Sequence, residues 1–217
     1  MSPGRGDKIA AIEKLELRGF LHRPTEPNGA GLVLTHGAGG DCTAPLLVAV
    51  ATHFCAAGIA VLRCDLAFRR RRAKGPPSPA TAAAADRAGL EEAVAELRKH
   101  VAGPLYLGGH SYGGRQASML AAEKPAIAAA LLLLSYPLHP PAKPAQLRTQ
   151  HFPKLHVPAL FVTGTTDGFA SLAELEAAIA AIPVPTRIIA VEGAGHDLKR
   201  GKFDFGAIAA ALPRLAG

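Results

Sequence analysis

The chain has 217 residues, enough for one sizeable core, and its 49% hydrophobic against 19% charged content excludes intrinsic disorder. With no Trp and only 5% aromatic residues, that core has to be built mainly from Ala, Leu, Val and Ile. The net charge of +7 is local: Arg69, Arg70, Arg71, Arg72 and Lys74 supply five of the excess charges and no nucleic-acid-binding motif accompanies them, so no nucleic-acid partner is expected.

Met1–Lys8 has no apolar segment and does not read as a signal peptide. Leu15–Arg23 alternates as an edge strand or hairpin does, and Pro24–Gly29 ends it. Gly31–Thr35 reads as a buried strand, Leu46–Ala57 as a helix closed by Gly58, and Ile59–Asp65 as a second buried strand. A basic, Pro-rich loop then runs to Pro79 and reads as a solvated segment. Ala80–His100 has helical spacing in Leu90, Val94 and Leu97.

Pro104–Leu107 is a strand running into Gly108-Gly109-His110-Ser111, and Tyr112–Lys124 suits a helix. Ala128–Ser135 and Ala159–Thr163 read as buried strands. The Pro-rich segment Tyr136–Pro158 between them leaves no room for a large helical lid, and a short helix fits only around Ala145–Thr149. Ser171–Ile182 is helical, with Ser171 and Glu174 spaced as a capping box; Arg187–Val191 is the last strand and Phe203–Leu215 the closing helix. The longest apolar run, Ala126–Leu134, is well short of the roughly 20 residues that span a bilayer, so no membrane association is expected. This alternation predicts an α/β fold with a mostly parallel central sheet, helices on both faces and minimal or no cap, as a single domain over residues 1–217.

Chemistry concentrates first at Gly109-His110-Ser111-Tyr112-Gly113, a GxSxG pentapeptide between a predicted strand and a predicted helix. The sharp turn that exposes a nucleophilic serine needs small neighbours, and the helix N-terminus favours developing negative charge. A serine hydroxyl needs a base. Of nine histidines, His196 in Gly193-Ala194-Gly195-His196 follows the last strand, where that base belongs. Among the acids between them, Glu123, Glu174 and Glu176 lie on helices, Glu192 follows the last strand directly, and Asp197 adjoins the histidine too closely to meet its Nδ1. Asp167 is the acid at a strand's carboxyl end, in the chain order serine, acid, histidine.

The tetrahedral oxyanion needs two backbone donors. Tyr112, after the nucleophile, supplies one; Ala38 in Thr35-His36-Gly37-Ala38-Gly39-Gly40 is the choice for the other, with Gly39 as the alternate. Gly39, His110 and His139 are candidates for pocket lining. His36 reads as structural, bonding the loop backbone, and Cys42 as a small buried apolar residue. Cys42, Cys55 and Cys64 are odd in number, without metal-binding spacing, which points to a reduced, cytoplasmic setting, and no metal motif is present.

With these residues in place, the chain resembles the α/β-hydrolase superfamily over nearly its whole length. More closely it is similar to the predicted-hydrolase branch that includes bacterial dienelactone-hydrolase-like proteins and the eukaryotic testis-expressed protein 30. The motifs that carry the resemblance are Thr35–Gly40, the Arg-rich loop after Asp65, Ser135-Tyr136-Pro137-Leu138-His139 and Gly193–His196. It implies a cofactor-free hydrolase without defining its substrate; the site residues themselves point to a small-molecule acyl substrate. Dienelactone hydrolases proper use a cysteine where this chain has Ser111, so that substrate is not carried over. The expectation is therefore an ester or thioester hydrolase working through an acyl-enzyme, with an open site for small acyl groups. Its rivals are a non-catalytic interaction protein that docks through the basic loop and an acyltransferase; the sequence is silent on oligomeric state.

Overall fold

A computed structural model describes residues 7–14, 17–77, 81–201 and 203–217. Eight strands form one sheet in the order β1-β2-β4-β3-β5-β6-β7-β8: β1 Lys8–Lys14, β2 Leu17–Arg23, β3 Gly31–Thr35, β4 Ala60–Cys64, β5 Leu105–His110, β6 Ala130–Leu134, β7 Ala159–Gly164 and β8 Thr186–Val191. The β1–β2 and β2–β4 pairs are antiparallel and every other pair is parallel. The helices are α1 Pro45–Ala56, α2 Ala67–Arg71, α3 Thr81–Arg98, α4 Tyr112–Glu123, α5 Leu172–Ile179 and α6 Phe205–Leu215.

Strands β3, β4, β6 and β7 are buried from end to end, and β5 up to its last residue, because helices cover both faces, which is why they read as mainly apolar runs rather than alternating ones. Leu131 and Leu133 of β6 point to one face, packed with Leu90, Leu97 and Leu120 from α3 and α4. Leu132 and Leu134 point to the other, against Val50 and Phe54 of α1 and Ile208 and Leu212 of α6. Leu-rich strands and Ala-rich helices thus fill two apolar layers without any tryptophan.

Local signals agree with the ends of several elements. Pro45 opens α1, where its missing N–H is not needed, and Gly58 follows the helix at φ 84°. Ser171 and Glu174 complete the capping box of α5.

Elsewhere the structure differs from the expectation. Strand β1 has no fully buried residue: Ala10 and Ile12 are half-buried, Ile12 against the core, while the equally apolar Ile9 is exposed, so its sequence does not announce an edge strand by alternation. Leu15, expected to begin the strand that forms β2, lies outside the described residues. No helix forms at 145–149; that segment is held instead by the Tyr136 hydroxyl donating to Arg148 O at 2.6 Å, and a 3-10 turn follows at Phe152–Lys154. The basic loop contains α2, and Arg69 within it is buried. Among the described residues no helix is long and apolar enough to cross a membrane.

Candidate active site

The carboxyl ends of β3, β5, β7 and β8 converge on one rim, the ligand-facing edge of an open α/β sheet. Between β5 and α4, Ser111 holds φ 50° and ψ −117°, a conformation that L-residues rarely adopt. Its neighbours explain how this strain is tolerated: a Cβ on Gly113 would sit 2.4 Å from His36 O, and one on Gly109 would sit 2.8 Å from the Gly113 carbonyl carbon. Only glycine lets the β3 loop and α4 approach so closely. The Ser111 N–H donates to Leu134 O at 2.8 Å, tying the turn to the end of β6.

His196 approaches from the loop after β8. Its Nε2 lies 2.7 Å from Ser111 Oγ, and its Nδ1 lies 2.8 and 3.0 Å from the two oxygens of Asp167. An ionised Asp167 carboxylate accepts only, so Nδ1 carries the proton and Nε2 is left to accept from the serine hydroxyl. The Asp167 side chain is fully buried, and Phe169 N–H donates to its Oδ1 at 2.8 Å. The Phe169 ring stacks on the His196 imidazole with centroids 4.0 Å apart. Aromatic cover of this kind limits the ring's orientations and excludes water from one face.

His110 donates through Nε2–H to the His196 carbonyl at 2.8 Å, and burial pushes its pKa down, so it braces the loop as a neutral group. His36 donates through Nδ1–H to Gly37 O at 2.8 Å and accepts the Leu66 N–H at its Nε2, 3.1 Å away; it too is buried and its pKa is depressed by desolvation. Gly37 lies against the elbow, where a Cβ would be 3.0 Å from His110 Nδ1 and 3.4 Å from Ser111 Cβ; a Cβ on Gly39 would meet nothing within 4 Å. Tyr112 begins α4, and its hydroxyl donates to the buried Asp86 at 2.8 Å while Phe68 N–H donates to the other oxygen at 2.9 Å.

A cavity of about 510 Å³ opens over these groups. Ser111, His196, Ala38, Gly39 and His110 all line it, and its apolar wall comes from Leu46, Leu47 and Phe169. His139 is not in this lining: its ring faces Glu174 and the Pro140 carbonyl, and its N–H donates to Phe169 O at 3.1 Å, so it braces the loop behind the cavity. Burial pushes the Cys42 thiol up to about 12, which leaves it protonated at neutral pH and unreactive. Among the described residues no group of three or more His, Cys, Asp or Glu side chains is placed to hold a metal ion.

Phe169 and Arg69 escaped the sequence reading. Phe169 carries no spacing signature, although its place two residues after Asp167 was available. Arg69 was hidden in a run of like residues, yet it follows the carboxyl end of β4, and its side chain is consumed internally rather than offered to solvent.

A family described as Alpha/beta hydrolase domain matches residues 28–210. Similar solved structures include a dienelactone hydrolase from Anabaena variabilis, 22% identical with a TM-score of 0.71 and 94% of each chain covered. Est1E from Butyrivibrio proteoclasticus, solved with ferulic acid bound, is 18% identical with a TM-score of 0.71, covering 93% of this chain and 95% of that one. An alpha-beta serine hydrolase homologue from Coxiella burnetii is 18% identical with a TM-score of 0.66, covering 96% and 95%. At these identities the structural likeness establishes the fold alone.

Proposed function

The chain belongs to the alpha/beta hydrolase domain family, and on that premise we propose that it is a serine hydrolase cleaving carboxylic esters or thioesters of small acyl groups. The observation that carries this reading is the continuous line from Asp167 through His196 to Ser111 Oγ, with its last link 2.7 Å long. In the proposed reaction Ser111 Oγ attacks the substrate carbonyl carbon as its proton passes to His196 Nε2. Asp167 keeps the imidazole in the accepting tautomer and stabilises its charged form. The oxyanion is held by the N–H groups of Ala38 and Tyr112.

Collapse of the tetrahedral intermediate breaks the bond to the alcohol or thiol, which leaves with the proton from His196. Water then enters, gives its proton to the same nitrogen, attacks the acyl-serine, and releases the acid while Ser111 recovers its proton. The apolar wall of Leu46 and Leu47 suits a short alkyl or aryl acyl group, and among the described residues no inserted cap covers the cavity.

Short p-nitrophenyl esters test the reading. Wild-type protein should turn them over, and Ser111→Ala should lower kcat by about 10,000-fold or more while retaining the fold. A fluorophosphonate should label wild type and not the variant. Equal rates from the two proteins would overturn the assignment.

A further inference from the structure

Arg69 is buried at 3% exposure, yet among the described residues its hydrogen-bond partners are carbonyl oxygens and no carboxylate. Nε donates to Gly40 O at 2.7 Å; one terminal nitrogen donates to Ala38 O at 3.0 Å and Gly75 O at 3.1 Å, and the other to Arg72 O at 3.2 Å. The guanidinium also lies over the Phe68 ring, 5.0 Å from its centroid. Burying a guanidinium is costly even with the Asp41 carboxylate within electrostatic reach, and multiple directed donors to carbonyls are what offset it. Such a group is expensive as filler. It needs a local reason.

The reason lies in which carbonyls it takes. Among the described residues no peptide bond is cis, so the C=O and N–H of each peptide unit point in opposite directions. His36 Nδ1–H and the Gly40 N–H both donate to Gly37 O, which anchors the peptide plane that carries the Ala38 N–H. Arg69 donates to Ala38 O, which anchors the next plane and turns the Gly39 N–H the opposite way. Ala38 is thus clamped between two fixed peptide planes. The N–H groups of Ala38 and Gly39 meet no acceptor among the described residues, and both residues line the cavity beside Ser111. The second contact, to Gly40 O, keeps the turn from opening. Both anchors rest on the segment after β4: Arg69 lies on α2, and Leu66 N–H holds the far side of the His36 ring.

We propose that Arg69 is a positioning residue that presets the Ala38 amide toward the oxyanion before substrate arrives; this role rests on the serine-hydrolase reading above. The guanidinium touches neither substrate nor the reacting atoms. It acts through the backbone, and because it is in place beforehand the loop does not have to reorganise as negative charge develops.

Arg69→Met removes the donors while keeping an unbranched apolar stem, and Arg69→Lys keeps the charge with one nitrogen that cannot span Ala38 O and Gly40 O together. Arg71→Met removes a charge from the exposed face of the same helix and serves as control. Rates are compared per active site, counted by fluorophosphonate labelling carried to completion. Arg69→Met should lose about 10- to 100-fold in kcat with KM little changed, the signature of an interaction realised in the transition state. Arg69→Lys should fall between, and Arg71→Met should match wild type. Affinity for an arylboronic acid, which mimics the tetrahedral state, should fall with kcat/KM, whereas affinity for a product carboxylate should not move.

Wild-type kcat per labelled site in Arg69→Met would overturn the role. So would a parallel loss of boronate and carboxylate affinity, which marks general loosening. If circular dichroism shows Arg69→Met to be unfolded, Arg69→Lys decides on the same two affinities. A wild-type protein whose Ser111 is never labelled overturns the hydrolase reading itself, whereas a labelled wild type with insensitive Arg69 variants overturns only the clamp.

Discussion

The two sides of Ser111 are built by different means. On one side, side chains at the ends of β7 and β8 meet it: Asp167 and His196, in line and covered by Phe169. On the other side, after β3, Ala38 and Gly39 line the cavity, and a polar scaffold of buried His36, Asp65 and Arg69 bonds the loop that carries them. Asp65 accepts from Cys42 N–H at 2.7 Å and from Arg18 Nε at 2.6 Å, and Arg63, bonded to the Cys42 carbonyl and to His22, extends the same scaffold. A reacting side chain has to be a particular residue type. A reacting amide can belong to almost any residue, and its precision comes from whatever grips the neighbouring carbonyls.

The comparison breaks most visibly on the side-chain half. Asp167→Asn leaves the shape intact but favours the wrong imidazole tautomer, and kcat should fall by about 1,000- to 10,000-fold with little change in melting temperature. Steady-state kinetics with calorimetry on the same sample measure both. On the scaffold half, Asp65→Asn replaces one accepting oxygen with a donor that faces Cys42 N–H or Arg18. It should cost on the order of 1–3 kcal/mol of stability, read by urea denaturation, while kcat per labelled site falls by less than about 10-fold. A kcat loss as deep as that of Asp167→Asn would mean that the two halves do not act separately.

A smaller effect appears with pH. His22 accepts from Arg63 Nε at 2.8 Å and is therefore neutral in the fold; burial, then the Arg63 charge, push its pKa down to about 4. His151 is likewise depressed to about 4 by burial and by Arg115. The unfolded chain takes up protons at the ordinary histidine pKa near 6.5, so this stability is complete above that pH and is lost as pH falls from 6.5 through 4. Each histidine contributes at most about 3 kcal/mol to that loss. Denaturation at pH 7 and at pH 4.5 should show the drop, and His22→Gln should reduce its slope. An unchanged slope would remove His22 from the scaffold's acid response.

Much of this division was legible in advance, for a physical reason. Gly109, Ser111 and Gly113 fall within five consecutive residues, so the steric demands of one turn are written in a single short stretch. Strands β3 and β6 show themselves because burial on both faces favours an unbroken apolar run, and β4 does so despite its buried Arg63. The candidates His196 and Asp167 came from chain order and strand ends, and the structure brings His196 within hydrogen-bonding distance of both Asp167 and Ser111. His139, chosen on similar grounds, faces Glu174 instead, because a position after a strand does not specify which way a ring turns.

By itself, then, the sequence determined the alternation of strand and helix, the elbow, and the residue types able to perform acyl transfer. Only tertiary structure decided that Arg69, in a run of clustered cations, turns inward onto the β3 loop, that β1 finds a partner in β2, and that His36 and Arg69 grip successive carbonyls. Periodicity and turn sterics act between near neighbours and so appear in local order. A part-buried hydrogen bond between Arg69 and Ala38 joins groups 31 positions apart, and it exists only once the sheet has brought the ends of β3 and β4 side by side.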